Sequence, residues 1–200
     1  MAARLLLASS NPGKLAEFRA LVKDSTLSLE LDLFPEFDSL PPFEESAPTF
    51  AENSLGKAFY YSRRASEVVL ADDSGLVVPG LNGRPGVQSA RYAGPEATSA
   101  QRIEKLLGEL KGKLGDERAA HFVCALSVLR QNRALAVITA RADGEILEAQ
   151  RGAGGFGYDP IFYFPSLRKT FAELTAEEKN QHSHRGKAFR RLLAVLPDVL

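Results

Sequence analysis

The sequence predicts an α/β protein built around a mixed sheet, on three observations. Short apolar runs such as Arg4–Ala8 and Val68–Ala71 are separated by segments with helical spacing of Leu, Val and Phe. Two further runs, His121–Leu129 and Leu135–Ala140, follow each other across a polar turn, as antiparallel neighbours do. Strands parted by helices together with strands adjacent in the chain call for parallel and antiparallel pairing in one fold. The 200 residues, 44% hydrophobic and 25% charged, suffice for one domain over residues 1–200 with a real core.

The elements follow in order. Arg4–Ala8 reads as a buried strand. Asn11 is placed to cap a helix that begins at Pro12, with Leu15, Phe18, Leu21 and Val22 at helical spacing. Leu27–Phe34 alternates like a strand, and Pro35–Pro48, with four prolines and several acids, reads as a loop. Thr49-Phe50-Ala51-Glu52 has the form of a capping box, which predicts a helix over Phe50–Ala65. Val68–Ala71 is a short strand that Asp72-Asp73-Ser74-Gly75 is expected to interrupt before Leu76–Val78 resumes it. Gly80–Gly94 is loop-like. Thr98 or Ser99 caps a helix with Ile103, Leu106, Leu107 and Leu110 on one face. After the paired runs, Asp143-Gly144 signals a hairpin leading to a strand at Ile146–Ala149. Gly152–Pro160 is a second glycine-rich loop. Thr175 with Glu178 forms another capping box, and a last helix starts at Ser183 with Ala188, Leu192, Leu193 and Leu196 inward.

Composition excludes some functions. Lys plus Arg and Asp plus Glu both number 25, so the formal net charge is zero. A general nucleic-acid or membrane-surface binder needs a basic excess, and none exists here. The single cysteine, Cys124, sits in an apolar run and reads as a small buried hydrophobe. One cysteine and no zinc spacing fit a reducing cytoplasm. No apolar run approaches the roughly 18 residues of a spanning helix, and the start is too short in apolar residues for a secretory signal.

Five stretches carry candidate chemistry. Ser9-Ser10-Asn11-Pro12-Gly13-Lys14 lies at a strand-to-helix corner, where free backbone N–H groups favour an anion. Lys14 stands in the first helical turn, where a cation is unfavourable unless an anion offsets it; a tight turn with a solvated lysine is the plain alternative. Asp72-Asp73 places two carboxylates together at a strand end, which suits a hard divalent cation; a polar turn is the alternative. Glu44-Glu45, in the proline-rich loop, offers one more ligand or a solvated acid. Gly154-Gly155-Phe156-Gly157-Tyr158-Asp159-Pro160 sets aromatics among glycines, fit to stack on a flat ligand or to form a tight turn. Lys179, His182, His184, Arg185 and Lys187 cluster near the last helix, as a solvated basic face or as donors to an anionic ligand and a base carbonyl.

These stretches, with Thr49–Asn53 and Pro85-Gly86-Val87-Gln88-Ser89-Ala90-Arg91-Tyr92, resemble in their order the inosine triphosphate pyrophosphatase (Ham1-like, RdgB-type) family. The resemblance runs from Leu5 to about Leu196. Ser10, His182 and Ala140 depart from common family residues without removing a group the chemistry needs. The resemblance implies an elongated two-lobed α/β fold around a long mixed sheet with a central substrate cleft. It implies a magnesium-dependent, homodimeric enzyme that hydrolyses non-standard purine nucleoside triphosphates (ITP, dITP, XTP) to monophosphate and pyrophosphate. It assigns Ser9, Ser10, Asn11, Pro12, Gly13 and Lys14 to the triphosphate, and Glu45 and Asp73 to the metal. By the same resemblance Asp73 would also be the proton acceptor, and Lys14 a second catalytic residue. Ser74, Phe156, Gly157, Tyr158, Asp159, Lys179, His184 and Arg185 are assigned to substrate contact. Two other readings stand beside this one: a Maf-like nucleotide pyrophosphatase, which shares a strand followed by Leu-Ala-Ser, and a nucleotide-binding regulator without catalysis.

Overall fold

The computed structural model describes residues 3–23, 25 and 27–200. Its regular elements are strands β1 (Ala3–Ala8), β2 (Leu29–Leu33), β3 (Val68–Val77), β4 (Ala119–Arg130), β5 (Arg133–Ile146), β6 (Phe162–Phe164) and β7 (Lys169–Thr170). The helices are α1 (Pro12–Lys23), α2 (Phe50–Ser62), α3 (Ser99–Glu109), α4 (Ala176–His182) and α5 (His184–Val199). The strand order is β2-β1-β3-β4-β5-β6-β7. β1 runs parallel to β2 and β3, whereas β6 runs antiparallel to β5 and β7, so the sheet is mixed, as the element order predicts. The chain divides into two compact units: Met1–Asp73, Cys124–Ala140 and His184–Leu200 form the first, Ser74–Val123 and Arg141–Ser183 the second.

In the first unit, β1 is buried on both faces. Leu5 and Leu7 pack with Phe18, Phe189 and Leu192 from α1 and α5. Leu6 and Ala8 pack on the opposite face with Ala58 and Tyr61 of α2. That double cover is why β1 reads as an unbroken apolar run rather than an alternating one. The rings of Phe18 and Phe189 lie 5.0 Å apart and lock α1 to α5. In the second unit, Ile103 and Leu106 of α3, with Leu110 at its C-cap, join Leu76, Phe122, Phe162 and Phe171 in a separate core. Phe162 stands 4.7 Å from both Phe122 and Phe171, centroid to centroid.

The helix signals correspond to real caps. Asn11 Oδ1 accepts from the N–H of Gly13 and Lys14 at 2.9 and 3.2 Å. Thr98 and Gln101 form a full capping box, as do Thr175 and Glu178. At Thr49 only half of the box exists: Thr49 accepts from the Glu52 N–H, while the Glu52 carboxylate takes the Thr49 hydroxyl instead of a backbone N–H.

Several boundaries differ. α2 ends at Ser62, not Ala65, and α5 begins at His184, not Ser183. β2 is shorter than the alternating stretch around it, and the loop-like stretch about Gly80–Gly94 forms two short 3-10 turns, Pro79–Leu81 at its start and Gly86–Arg91 within it. Asp72-Asp73-Ser74-Gly75 does not interrupt its strand: β3 is continuous from Val68 to Val77. Nor does Asp143-Gly144 turn the chain, since β5 runs straight through to Ile146 and the next strand is Phe162–Phe164. Gly144 is there for close approach: a Cβ at this position would stand 2.3 Å from the Tyr163 carbonyl oxygen.

Candidate active site

The corner between β1 and α1 is satisfied from within. Ser9 is buried and its Oγ accepts the Asn11 N–H at 3.2 Å. With Asn11 capping Gly13 and Lys14, the Ser9–Lys14 segment is a fixed turn that projects Lys14. The anion that Lys14 meets is Asp72: its ammonium pairs with Asp72 Oδ1. The misfit of a lysine in a first helical turn is therefore answered by an internal carboxylate.

Asp72 is fully buried in β3. Its Oδ2 also accepts from Arg185 Nε at 3.2 Å and from the Cys124 thiol at 3.3 Å. Burial alone would raise the Asp72 pKa, but the charges of Lys14 and Arg185 outweigh it and hold the carboxylate well below its usual range. Arg185, itself buried, pairs at its other end with Glu17 of α1. Burial opposes its charge, and Asp72 and Glu17 more than restore it, so its pKa rises. Cys124 is inert: burial, then the Asp72 charge, pushes its thiol pKa up.

Asp73, the next residue, is treated in the opposite way. It is 5% exposed, and its Oδ2 has no hydrogen-bond partner among the described residues. Burial, then the charge of Glu45, pushes its pKa up to about 7, against Lys14 and an Asn53 hydrogen bond that pull it down. Of the two loop acids, Glu45 is the partly buried one and Glu44 is exposed. Glu45 is anchored by Lys57 of α2, whose ammonium donates at 2.8 Å. The loop behind it is pinned by Asn53, which accepts from the Ala47 N–H at 2.8 Å and donates to the Ala47 carbonyl at 3.2 Å.

No group of three or more His, Cys, Asp or Glu side chains among the described residues forms a ready metal cage. The donor chemistry nevertheless fits a hard divalent cation. Asp73 offers a buried oxygen without a donor among the described residues, Glu45 adds a second carboxylate, and the mutual field of the two is unfavourable until a cation enters.

The second unit holds Ser74, half-buried in β3, and the Phe156 loop. Asp159 organises that loop: its Oδ2 accepts from the Phe156 N–H at 2.8 Å and from Lys179 Nζ at 2.6 Å. Asp159 and Lys179 are both buried, and the Lys179 ammonium lies 4.7 Å from the Phe156 ring centroid. Gly155 has φ +70°, and a Cβ there would stand 2.1 Å from Asp159 Oδ2, so glycine is required. Tyr158 is buried, and its hydroxyl donates to the Ser89 carbonyl at 3.0 Å. Burial raises its pKa.

Each unit thus gathers part of the expected set. Lys14, Glu45, Asp73, His184 and Arg185 belong to the first unit, and Ser74, Phe156, Gly157, Tyr158, Asp159 and Lys179 to the second. Lys179, His184 and Arg185 are buried, which rules out a solvated basic face for these three. Sequence reasoning gave no role to Lys57, Asn53 or Glu17. Asn53 and Lys57 lie one turn apart on α2, and a polar pair at that spacing on a buried helix face was the available signal.

Comparison with known proteins places this arrangement among relatives. The profile of the Ham1 family matches residues 5–195. The chain is 50% identical over 188 residues to the dITP/XTP pyrophosphatase of Geobacillus kaustophilus, covering 94% of this chain and 91% of that protein. The structure of a HAM1 protein from Coxiella burnetii superposes with a TM-score of 0.86 at 42% identity, over 98% of this chain and 99% of that one. The Ham1 protein of Staphylococcus aureus gives a TM-score of 0.85 at 39% identity, over 98% of both chains. No helix among the described residues is long and apolar enough to cross a membrane.

Proposed function

The chain belongs to the Ham1 family, and on that premise we propose that it hydrolyses non-standard purine nucleoside triphosphates (ITP, dITP and XTP) to the monophosphate and pyrophosphate. The observation that carries the reading is Asp73, a buried acid whose Oδ2 has no hydrogen-bond partner among the described residues and whose pKa burial and the Glu45 charge push up to about 7. Asp73 and Glu45 would hold magnesium. When bound, the ion supplies charge neutralisation at phosphate oxygens and a more acidic water.

The remaining chemistry falls to the chain. Water attacks the α-phosphorus, pyrophosphate leaves, and Asp73 accepts the water's proton; an acid tuned near neutrality suits that exchange. Phosphoryl transfer needs positioning and charge more than covalent help. Lys14, oriented by Asp72, and Lys179, oriented by Asp159, bring positive charge to the phosphates. Phe156 with its flanking Gly157 suits stacking on a purine. His184 and Arg185 are proposed as donors to the six-carbonyl of hypoxanthine or xanthine. A guanidinium can donate and never accept, so it suits that carbonyl and not the amino group of adenine. The enzyme would work in the cytoplasm as a homodimer.

A family match over residues 5–195 does not favour the Maf-like reading or the non-catalytic one. The deciding experiment is turnover of ITP against ATP, GTP and dTTP with magnesium, scoring pyrophosphate. Fast ITP hydrolysis with pyrophosphate release is expected; release of single phosphate, or equal rates on ATP, would overturn the reading.

A further inference from the structure

The Pro85–Tyr92 segment carries part of the family resemblance yet none of the proposed chemistry. Its centre is Ser89, which is buried. The Ser89 hydroxyl accepts from the Leu76 N–H at 2.9 Å and donates to the Gly86 carbonyl at 2.6 Å. The backbone carbonyl of the same residue accepts the Tyr158 hydroxyl at 3.0 Å. Leu76 lies on β3 two residues beyond Ser74, and Tyr158 lies between Phe156 and Asp159. One residue therefore grips the strand with its side chain and the aromatic loop with its main chain, all inside the second unit.

Both grips are hard to replace. Leu76 is fully buried, so its N–H has no ready access to water if the Ser89 oxygen is removed. Tyr158 is 4% exposed, and its hydroxyl is engaged by the buried Ser89 carbonyl. Such a hydroxyl anchors the loop and does not read a ligand. At its other end the loop is fixed by Asp159 on the Phe156 N–H. Phe156 is thereby held through two residues that follow it, Tyr158 by its contact with Ser89 and Asp159 by its bond to the Phe156 N–H.

We propose that Ser89 is a positioning residue of the reaction, setting Ser74 and Phe156 relative to each other through Leu76 and Tyr158. The proposal rests on the nucleotide reading only for the identity of the ligand. It makes Tyr158 an anchor rather than a substrate contact.

The test uses Tyr158→Phe, which keeps the ring, and Ser89→Ala. Each should raise KM for ITP by about 3- to 10-fold, the worth of one hydrogen bond, while kcat falls less than about twofold. The double variant should cost less than the two single effects combined, because both act through one residue. A purely structural role predicts the reverse, a lower kcat at unchanged KM as the active fraction falls; that result would overturn the proposal. Hydrogen exchange without nucleotide gives an independent arm. Ser89→Ala should speed exchange at Leu76, and Tyr158→Phe should speed it over residues 154–159. Unchanged exchange at both places overturns the proposal even if the wild type proves to prefer another nucleotide, an outcome that would overturn the nucleotide reading alone.

Discussion

Two buried segments, the acids of β3 in the first unit and the Phe156–Asp159 loop in the second, use the same device to different ends. Each sets a buried carboxylate against a buried or half-buried lysine, Asp72 against Lys14 and Asp159 against Lys179. In the loop the device is complete. Asp159 takes the Lys179 ammonium and the Phe156 N–H, and the result is a rigid support for an aromatic ring. On β3 it is deliberately exceeded. Asp72 takes the Lys14 and Arg185 cations and the Cys124 thiol, and the next residue adds a second acid whose Oδ2 receives no donor among the described residues. A region that satisfies itself is built to present a shape; a region with a charge left over is built to receive one.

The largest expected effect separates the two directly. Asp73→Asn should lower kcat on ITP by about 10²- to 10⁴-fold, the usual worth of a general base. The same change should stabilise the metal-free protein at pH 8, raising its Tm by about 5 °C or more, because it removes a charge the fold does not compensate. Asp159→Asn should do the reverse in the second unit. It strands the Lys179 ammonium in a buried site and should cost about 3 kcal/mol in denaturant unfolding. Equal destabilisation by both variants would erase the distinction between the two regions.

A pH titration of the metal-free protein sharpens it next. The Asp72 pKa is depressed in the folded state, so the stability it contributes is present above the unfolded value of 3.8 and is lost as pH falls below it. The Asp73 pKa is raised from 3.8 to about 7, so between those values the unfolded chain binds fewer protons than the native one. Stability contributed by that proton declines as pH rises through this window and levels off above about 7. Unfolding midpoints measured from pH 4 to pH 8 should therefore carry a falling contribution in the wild type that is absent in Asp73→Asn, where the lowered pKa of His121 leaves a small rise instead. Magnesium affinity should strengthen with pH over the same range, since the ion must displace the Asp73 proton.

Much of the scaffold was legible and part of the site was not, for reasons visible at single residues. β1, α1, α3 and α5 announce themselves through apolar spacing and caps such as Asn11 and Thr98. β6 and β7, of three and two residues, are too short to carry a period. The sharper failure is at Asp72–Gly75, whose local chemistry reads as a turn. The residues that keep it a strand, Lys14 and Arg185, stand 58 and 113 positions away. A buried cation supplied from that distance overrides local propensity, and no window on the sequence contains both partners. The same holds for Arg185. Its place in a basic run suggests a donor, and the partners that hold its Nε and Nη1, Asp72 and Glu17, stand 113 and 168 positions away.

The smallest effect probes how finely Asp72 is held. Cys124 reads in sequence as a small hydrophobe, and in the fold it is that and also a donor, at 3.3 Å from Asp72 Oδ2. A thiol donor is weak, and its removal leaves Lys14 and Arg185 in place, so Asp72 stays ionised. Cys124→Ala should therefore cost only about 1 kcal/mol of stability beyond the loss of sulfur packing. Cys124→Ser keeps a donor at the site and should recover that part, though not the apolar contacts of the sulfur. The pair divides packing from hydrogen bonding. If Ala and Ser variants unfold at the same denaturant midpoint, the thiol contributes volume alone, and the Asp72 carboxylate is held by its two cations without it.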